Sequence, residues 1–315
     1  MKNQNKLLSS VLAILLICSW LPNNDLHAFE NDEPTVLITG SNRNLGLEFV
    51  KQFSKKNWNV IATARNPEEA DELQEFAANN NNVVIELLDI TNNEHIENLS
   101  SKYKNQTIDI LLNNAGLTPR HFSAFRKLSG VDEDITRTSF EINALGTMKI
   151  IQAFMKNVEQ SENGKIIALS SKASSFGERL KIPMMYSYAM SKAALNSMIY
   201  SLSFETKKKD VIAISLSPGM VNTTPGTSLM GAIEIDESVT KMMAVIENLT
   251  LEQNGLFIDY EDGRTIPWEQ LTLTGLRSTS IKLNYKPIIS KATLSPDSIA
   301  PSIPLFETAV CSPQK

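Results

Sequence analysis

The stretch Val36-Leu37-Ile38-Thr39-Gly40-Ser41-Asn42-Arg43-Asn44-Leu45-Gly46 decides the fold. A short apolar run enters a glycine-bearing turn and leaves as a segment, Leu45 to Lys55, in which Leu47, Val50 and Phe53 recur at helical spacing. That is a strand, a tight turn and an amphipathic helix. A glycine-rich turn between strand and helix sets backbone N–H groups and the positive end of the helix dipole against a pyrophosphate. Gly40, Asn42, Arg43, Leu45 and Gly46 are therefore candidate cofactor contacts. Asn44 stands where a third glycine is expected; asparagine tolerates left-handed backbone geometry better than other side-chain-bearing residues, so the turn survives, with the Asn44 side chain close to the phosphate position.

The same alternation continues outward from this unit. Asn59–Thr63, Val83–Leu88, Ile108–Asn113, Lys165–Ser170 and Val211–Leu216 read as further strands, and Gly255–Asp259 as a last strand near the sheet edge. Helical patterns lie between them at Glu68–Ala78, Ile135–Met155 and Tyr188–Lys207. Strands alternating with helices predict an α/β fold: a Rossmann-type, doubly wound parallel sheet in a single domain, residues 34–270. Of 315 residues, 42% are hydrophobic and 21% charged, which suffices for one large core. Residues 271–315 are rich in Ser, Thr and Pro with little apolar periodicity, and read as a poorly ordered tail.

The end of the second strand chooses between dinucleotides. An acidic residue there would bind the ribose hydroxyls and repel a 2′-phosphate. The chain has Thr63-Ala64-Arg65-Asn66 instead. Arg65 and Arg43 together are suited to grip a 2′-phosphate through charge-assisted hydrogen bonds, which selects NADP(H) over NAD. Asp89, ending the third strand, is placed near the adenine.

Residues 1–28 differ in kind. Lys2 and Lys6 precede an apolar run from Leu7 to Leu21, and Leu26-His27-Ala28 offers a cleavage site, the layout of a secretory signal peptide. An uncleaved anchor is the alternative, with the catalytic domain on the non-cytosolic side. The expectation is an exported protein that touches a membrane only if this segment is retained. Only Cys18 and Cys311 occur, so a mature chain has no internal disulfide. The histidines, His27, His95 and His121, are scattered, so no catalytic metal is expected. A net charge of -5 without a basic cluster points away from nucleic acid.

Tyr188-Ala-Met-Ser-Lys192 places a phenol and an amine on one face of a helix, at i and i+4. Around it stand Asn113-Asn114-Ala115-Gly116 after the fourth strand, Asn143 in the long helix, Ser170-Ser171 after the fifth strand and Pro218-Gly219 after the sixth. In this order and at these strand ends, they resemble the short-chain dehydrogenase/reductase family throughout residues 35 to 270. More narrowly, Ser170-Ser-Lys-Ala-Ser, Tyr186-Ser-Tyr-Ala-Met-Ser-Lys-Ala-Ala-Leu-Asn196, Gly255-Leu-Phe-Ile-Asp-Tyr260 and Ile266-Pro-Trp268 look like the C-factor/sniffer-like carbonyl reductase group.

The resemblance implies a hydride-transferring oxidoreductase acting on a small carbonyl or alcohol, with Tyr188 as general acid/base. A free phenol near pKa 10 is a poor base at neutrality, so Lys192 and the nicotinamide charge are expected to lower it. Lys192 would also hold the nicotinamide ribose, with Tyr188 counted among the cofactor contacts. Ser171, the second of its pair, would hydrogen-bond the substrate oxygen, and Asn143 would fix a water linking Lys192 to solvent. Asn114, Ala115 and Gly116, with Asn113, would line the cofactor cleft; Pro218 and Gly219 count among the cofactor contacts, and Thr223, which follows them, would meet the nicotinamide carboxamide. Phe176, Met184, Met185, Met220 and residues 222 to 233 are expected around an adaptable substrate pocket. The family's habits imply a homodimer or homotetramer. A non-enzymatic signalling or binding protein is the alternative function. A sugar-nucleotide isomerase or dehydratase is disfavoured because no longer substrate domain is present.

Overall fold

The computed structural model of the protein describes residues 29, 33–118, 126–179, 181–223 and 227–268. The expected leader over 1–28 and tail over 271–315 lie outside the described residues.

Seven parallel strands form one sheet in the order β3-β2-β1-β4-β5-β6-β7. They are β1 (Thr35–Ile38), β2 (Asn59–Ala64), β3 (Val83–Leu87), β4 (Ile110–Asn113), β5 (Lys165–Leu169), β6 (Ile212–Ser217) and β7 (Phe257–Asp259). The chain winds outward from β1 to β3, then crosses to β4 and winds the other way. The switch lies between β1 and β4, where doubly wound sheets open a crevice at their carboxyl ends. The continuous apolar runs have a direct cause: β1, β2 and β6 are buried at every residue, because helices cover both faces.

Residue alternation sorts the core into two layers. Val36 and Ile38 join one cluster with α1 (Asn44–Lys55), α2 (Asp71–Ala78) and α7 (Ile235–Glu247), through Phe49, Phe53, Leu73, Met242 and Ile246. Leu37 points the opposite way, into a cluster with α3 (Asn93–Lys102), α5 (Thr147–Glu159) and α6 (Tyr186–Thr206), through Leu99, Phe154, Val158, Leu195 and Ile199. Fully burying such a side chain contributes about 1.5–3 kcal/mol, so both helix layers are held chiefly by packing.

Three local features depart from the sequence reading. A helix, α3, follows β3 where none was expected. Only Ile96 and Leu99 are buried in it, and its start is set by Asn92, whose Oδ1 accepts from the amides of Glu94 at 2.9 Å and His95 at 3.3 Å. The expected helix over 135–155 is α4 (Glu133–Phe140) and α5 joined by a π-turn, Glu141–Gly146. That wider turn carries Asn143, which is fully buried. Finally, β7 is only three residues long, and Ile258 bridges back to Thr265, which folds the segment after β7 against the sheet edge.

Candidate active site

The turn after β1 is shaped by what is missing from it. Gly40 has φ 70, and a Cβ there would lie 3.0 Å from the Ala115 Cα. Gly46 is tighter still: a Cβ would lie 2.1 Å from the Gly40 carbonyl oxygen and 2.6 Å from Asn114 Nδ2. No side chain fits at this crossing of strand, turn and helix. Asn44 adopts φ 49, the left-handed geometry that the sequence required of it.

No side chain caps the start of α1, so its first-turn N–H groups remain for an anion. The neighbouring loop is sewn to this turn. Asn114 Nδ2 donates to the carbonyls of Thr39 at 2.9 Å and Gly40 at 2.8 Å, while Thr39 Oγ1 accepts from the amides of Asn114 and Ala115. A glycine cradle with open first-turn amides at the topological switch point fits a dinucleotide pyrophosphate.

Asn42, Arg43 and Arg65 are exposed at the rim of this cradle. Neither arginine lies within salt-bridge distance of a carboxylate among the described residues. Burial works to raise the Asp89 pKa, but hydrogen bonds from Thr91 and the charges of Arg65 and His95 outweigh it and leave the carboxyl below its ordinary value. Arg65 and Asp89 thus share one electrostatic neighbourhood.

The second half of the site hangs on α6. Tyr188 and Lys192 are 9% and 5% exposed, with Lys192 Nζ 5.9 Å from the Tyr188 ring centre. Nζ donates to the Leu169 carbonyl at 2.7 Å, which fixes the ammonium at the end of β5. Burial pushes its pKa down to about 8. Burial also pushes the Tyr188 phenol up, against the opposing pull of hydrogen bonding with Ser171 and Thr118. The lowering expected from Lys192 does not appear among the protein's own groups. Its ammonium is turned to Leu169, and desolvation dominates.

Of the two serines, Ser171 is the one whose hydroxyl pulls on the phenol. Ser170 is buried behind it, with Oγ 3.5 Å from Ser174 Oγ. Gly116 lies at the centre of the site, where a Cβ would come within 3.2 Å of Asn143 Oδ1 and 3.5 Å of Lys192 Nζ. Asn113 is buried at the end of β4, with Oδ1 unpartnered.

Asn143 Oδ1 accepts from the Leu117 amide at 2.7 Å, and its Nδ2 donates to the Leu117 carbonyl at 3.0 Å and to Ser191 Oγ at 2.9 Å. Ser191 in turn donates to the Tyr188 carbonyl at 2.8 Å. Both polar ends of the Asn143 side chain are therefore engaged inside the protein, and it clamps the loop after β4 to the first turn of α6. Sequence reasoning missed Thr118 and Ser191. Ser191 at least carried a signal, standing inside the Tyr188–Lys192 spacing.

The turn after β5 is also tied to the sheet edge. Asp259, 1% exposed, pairs with Lys172 at 2.6 Å and Arg264 at 2.8 Å. Arg264 also grips both carboxylate oxygens of Glu178. Ser175 Oγ donates to the Pro267 carbonyl at 2.6 Å. After β6, Pro218 accepts from Ser238 Oγ, and Gly219, φ 80, backs onto the Tyr260 ring, where a Cβ would come within 2.5 Å. Thr223 is exposed, its amide turned back onto the Val221 carbonyl at 2.8 Å.

A cavity of about 300 Å³ opens beside Tyr188, with Leu117, Thr118, Val131, Ile135 and Met185 in its wall. Of the residues expected around the substrate, Met185 lines it, in left-handed geometry at φ 56 just before α6. Phe176 and Met220 are 64% and 47% exposed and do not join that wall. The start of α4 supplies it instead, and α4 lies against the beginning of α6, with Thr136 Oγ1 2.7 Å from Ser187 Oγ.

Residues 34–231 match the family described as short chain dehydrogenase. An uncharacterised oxidoreductase of Schizosaccharomyces pombe is 33% identical over 250 residues, covering 73% of this chain and 96% of that protein. Among solved structures, the carbonyl reductase Sniffer of D. melanogaster aligns with TM-score 0.67 and 28% identity, covering 75% of this chain and 100% of its own. An NADPH-bound carbonyl reductase from chicken fatty liver aligns with TM-score 0.67 and 26% identity, covering 75% and 99%. The chain belongs to the short-chain dehydrogenase/reductase family of oxidoreductases.

Proposed function

We propose that this protein is an NADP(H)-dependent carbonyl reductase for small aldehydes or ketones, with Tyr188 as its proton donor. The observation that carries the reading is the gathering of Ser171 and Lys192 about Tyr188, which itself stands in the wall of the cavity. The Gly40–Gly46 cradle would hold the pyrophosphate, Arg43 and Arg65 the 2′-phosphate, and Lys192 the nicotinamide ribose. Bound there, the nicotinamide supplies a hydride to the carbonyl carbon.

The residues supply the rest. Ser171 donates a hydrogen bond to the substrate oxygen and stabilises the charge that grows there. Tyr188 gives that oxygen its proton, completing the alcohol. The phenol, which burial holds above its ordinary pKa, is protonated at neutral pH, as reduction requires of a proton donor. The Lys192 ammonium, held on the Leu169 carbonyl 5.9 Å from the Tyr188 ring centre, keeps a positive charge near the phenolate left behind. The largely apolar wall of the cavity suits a carbonyl with a compact apolar substituent.

The NADPH-bound state of the chicken enzyme supports the choice of dinucleotide. Pairing of subunits through α5 and α6 is part of the same proposal, supported by Leu145, Met190, Tyr200 and Phe204, each more than two-fifths exposed. Export through residues 1–28 completes it; sequencing the mature N-terminus after cell fractionation tests that element, and a cytosolic protein beginning at Met1 overturns it.

The central test is NADPH oxidation with a panel of small aldehydes and ketones, comparing wild type with Tyr188→Phe. Turnover by wild type and its loss in the variant, with NADPH binding retained, is the expected result. Absence of both turnover and NADPH binding in wild type overturns the reading.

A further inference from the structure

Helix α6 presents Tyr188, Lys192 and Asn196 at i, i+4 and i+8, a single stripe along one face. The first two belong to the reaction proposed above. Asn196 does not, yet it is fully buried. A carboxamide at that depth is unfavourable unless its hydrogen bonds are met, and an apolar residue would serve the packing of α6 without that penalty. Here they are only half met: Nδ2 has a partner and the buried Oδ1 has none. A half-satisfied buried amide is a poor stabilising device, which directs attention to what its one bond does.

Asn196 Nδ2 donates to Ser174 Oγ at 2.8 Å, and Ser174 Oγ donates to the Ser171 carbonyl at 2.6 Å. The direction is fixed. Ser174 has one hydroxyl proton; with that proton on the Ser171 carbonyl, its oxygen must accept from Asn196. The Ser174 amide reaches the same carbonyl at 2.9 Å, closing a single turn over Lys172–Ser174.

Ser171 itself is extended, φ -156 and ψ 143, and its Oγ accepts from the Ala173 amide at 3.2 Å. That acceptance leaves the hydroxyl proton free to point outward. The outer side of the same turn is held by a different device, the Lys172–Asp259 ion pair. The inner side is held by Asn196.

We propose that Asn196 and Ser174 are positioning residues that hold Ser171 against Tyr188, so that the helix carrying the proton donor also sets the hydrogen-bond donor's position. The proposal rests on the carbonyl reductase reading for its kinetic consequences, but not for its structural ones. A displacement of the order of 1 Å in a reacting constellation costs on the order of 100-fold in rate, so a partial release of Ser171 should lower kcat about tenfold or more.

The test uses Ser174→Ala and Asn196→Ala, two independent ways to break the relay, each alone and combined with Ser171→Ala. The expected result is a fall in kcat of about tenfold for each, KM for NADPH unchanged, and no further loss when either is added to Ser171→Ala. Losses that multiply with Ser171→Ala mean that the two residues act elsewhere, and overturn the proposal. So does a fall in kcat that merely tracks a fall in Tm across the variants.

A second readout does not depend on turnover. Ultraviolet titration of the full chain, with Tyr188→Phe identifying the Tyr188 contribution, should show its ionisation moved to higher pH by Ser171→Ala, because a bond that favours the phenolate is lost. Asn196→Ala and Ser174→Ala should move it the same way. An unchanged Tyr188 titration in both overturns the relay even if carbonyl turnover is never found, while a shifted titration without turnover leaves the relay standing and the function wrong.

Discussion

The two helix starts that build the site, α1 at the cofactor turn and α6 at the proton donor, work by opposite means. At α1 the side chains are withdrawn: Gly46 allows contact so close that a Cβ would lie 2.1 Å from the Gly40 oxygen, and the charged groups stand exposed at the rim. At α6 the polar side chains are driven inward. Tyr188, Ser191, Lys192 and Asn196 are all buried, each tied to a carbonyl, amide or hydroxyl on another part of the chain or its own helix. One end presents backbone to a ligand; the other holds titratable groups in a chosen protonation state. Damage should therefore look different at the two ends.

The largest effects come from the centre of each. Gly46→Ala forces a Cβ into main-chain atoms that cannot swing aside, so overpacking costs about 3 kcal/mol or more and cradle geometry goes with it. Tm and NADPH affinity should fall together. Tyr188→Phe should instead lower kcat by about 10²–10⁴ with NADPH affinity intact. Calorimetry and fluorescence titration of NADPH separate the two patterns. If Gly46→Ala keeps wild-type affinity, the cradle is not where the dinucleotide sits.

Next comes the ionic latch behind the turn after β5. Asp259 is 1% exposed, whereas the Lys172 and Arg264 side chains keep 35% and 44% of their surface. Removing both cations strands a buried carboxylate, at a cost of about 3–5 kcal/mol. Asp259→Asn leaves two cations that turn to solvent, for about 1–2 kcal/mol. Urea unfolding of Lys172→Met with Arg264→Met, beside Asp259→Asn, measures the order. The reverse order would show that the latch works as a surface pair, not as the satisfaction of a buried acid.

These regions were unequally legible in the sequence. The buried strands announced themselves because both faces are covered, so their residues read as apolar runs. Gly40, Gly46 and Asn44 were legible because backbone geometry leaves few residue types possible. The proton-donor helix was legible in Tyr188 and Lys192, whose relation is local, i to i+4. What escaped is non-local or polar. The π-turn at Glu141–Gly146 looks like ordinary helix in sequence. Helix α3 buries too few residues to show a stripe. Thr118, Ser174 and Asn196 gain meaning only from partners brought near by the fold, as do Lys172, Asp259 and Arg264. The expected methionine-rich pocket was legible only in Met185, because α4 rather than residues 222–233 walls the cavity beside Tyr188.

A smaller effect separates function from stability at Lys192. Its pKa is about 8 in the folded chain against 10.5 for an ordinary lysine. Between those values the unfolded chain binds more protons, so wild-type stability rises with pH across this window, and the burden of burying the ammonium is fully present below pH 8. Lys192→Met removes that burden but loses the bond to the Leu169 carbonyl, leaving a net gain of about 1–2 kcal/mol at pH 7. The variant should be inactive yet at least as stable as wild type, with the advantage shrinking as pH approaches 10.5. Chemical unfolding at pH 7 and at higher pH measures it; a variant much less stable at pH 7 would mean that the buried ammonium is a structural support.

The smallest effect belongs to the cofactor rim and tests its exposed chemistry most directly. Arg65 is exposed and near Asp89, so its grip on a 2′-phosphate is screened by water and salt. Arg65→Ala should weaken NADPH binding by about tenfold, roughly 1.4 kcal/mol, while NADH binding, Tm and the kcat of the saturated enzyme stay where they were. Raising the salt concentration should weaken NADPH binding to wild type more than to the variant. No such contrast exists at α6, where the groups are out of reach of solvent ions. An unchanged preference for NADPH over NADH in Arg65→Ala would refute the role given to Arg65 and shift it to Arg43, the other exposed arginine of the turn. A loss of NADPH and NADH binding together would instead place Arg65 on the pyrophosphate, and the rim and the cradle would then be one device instead of two.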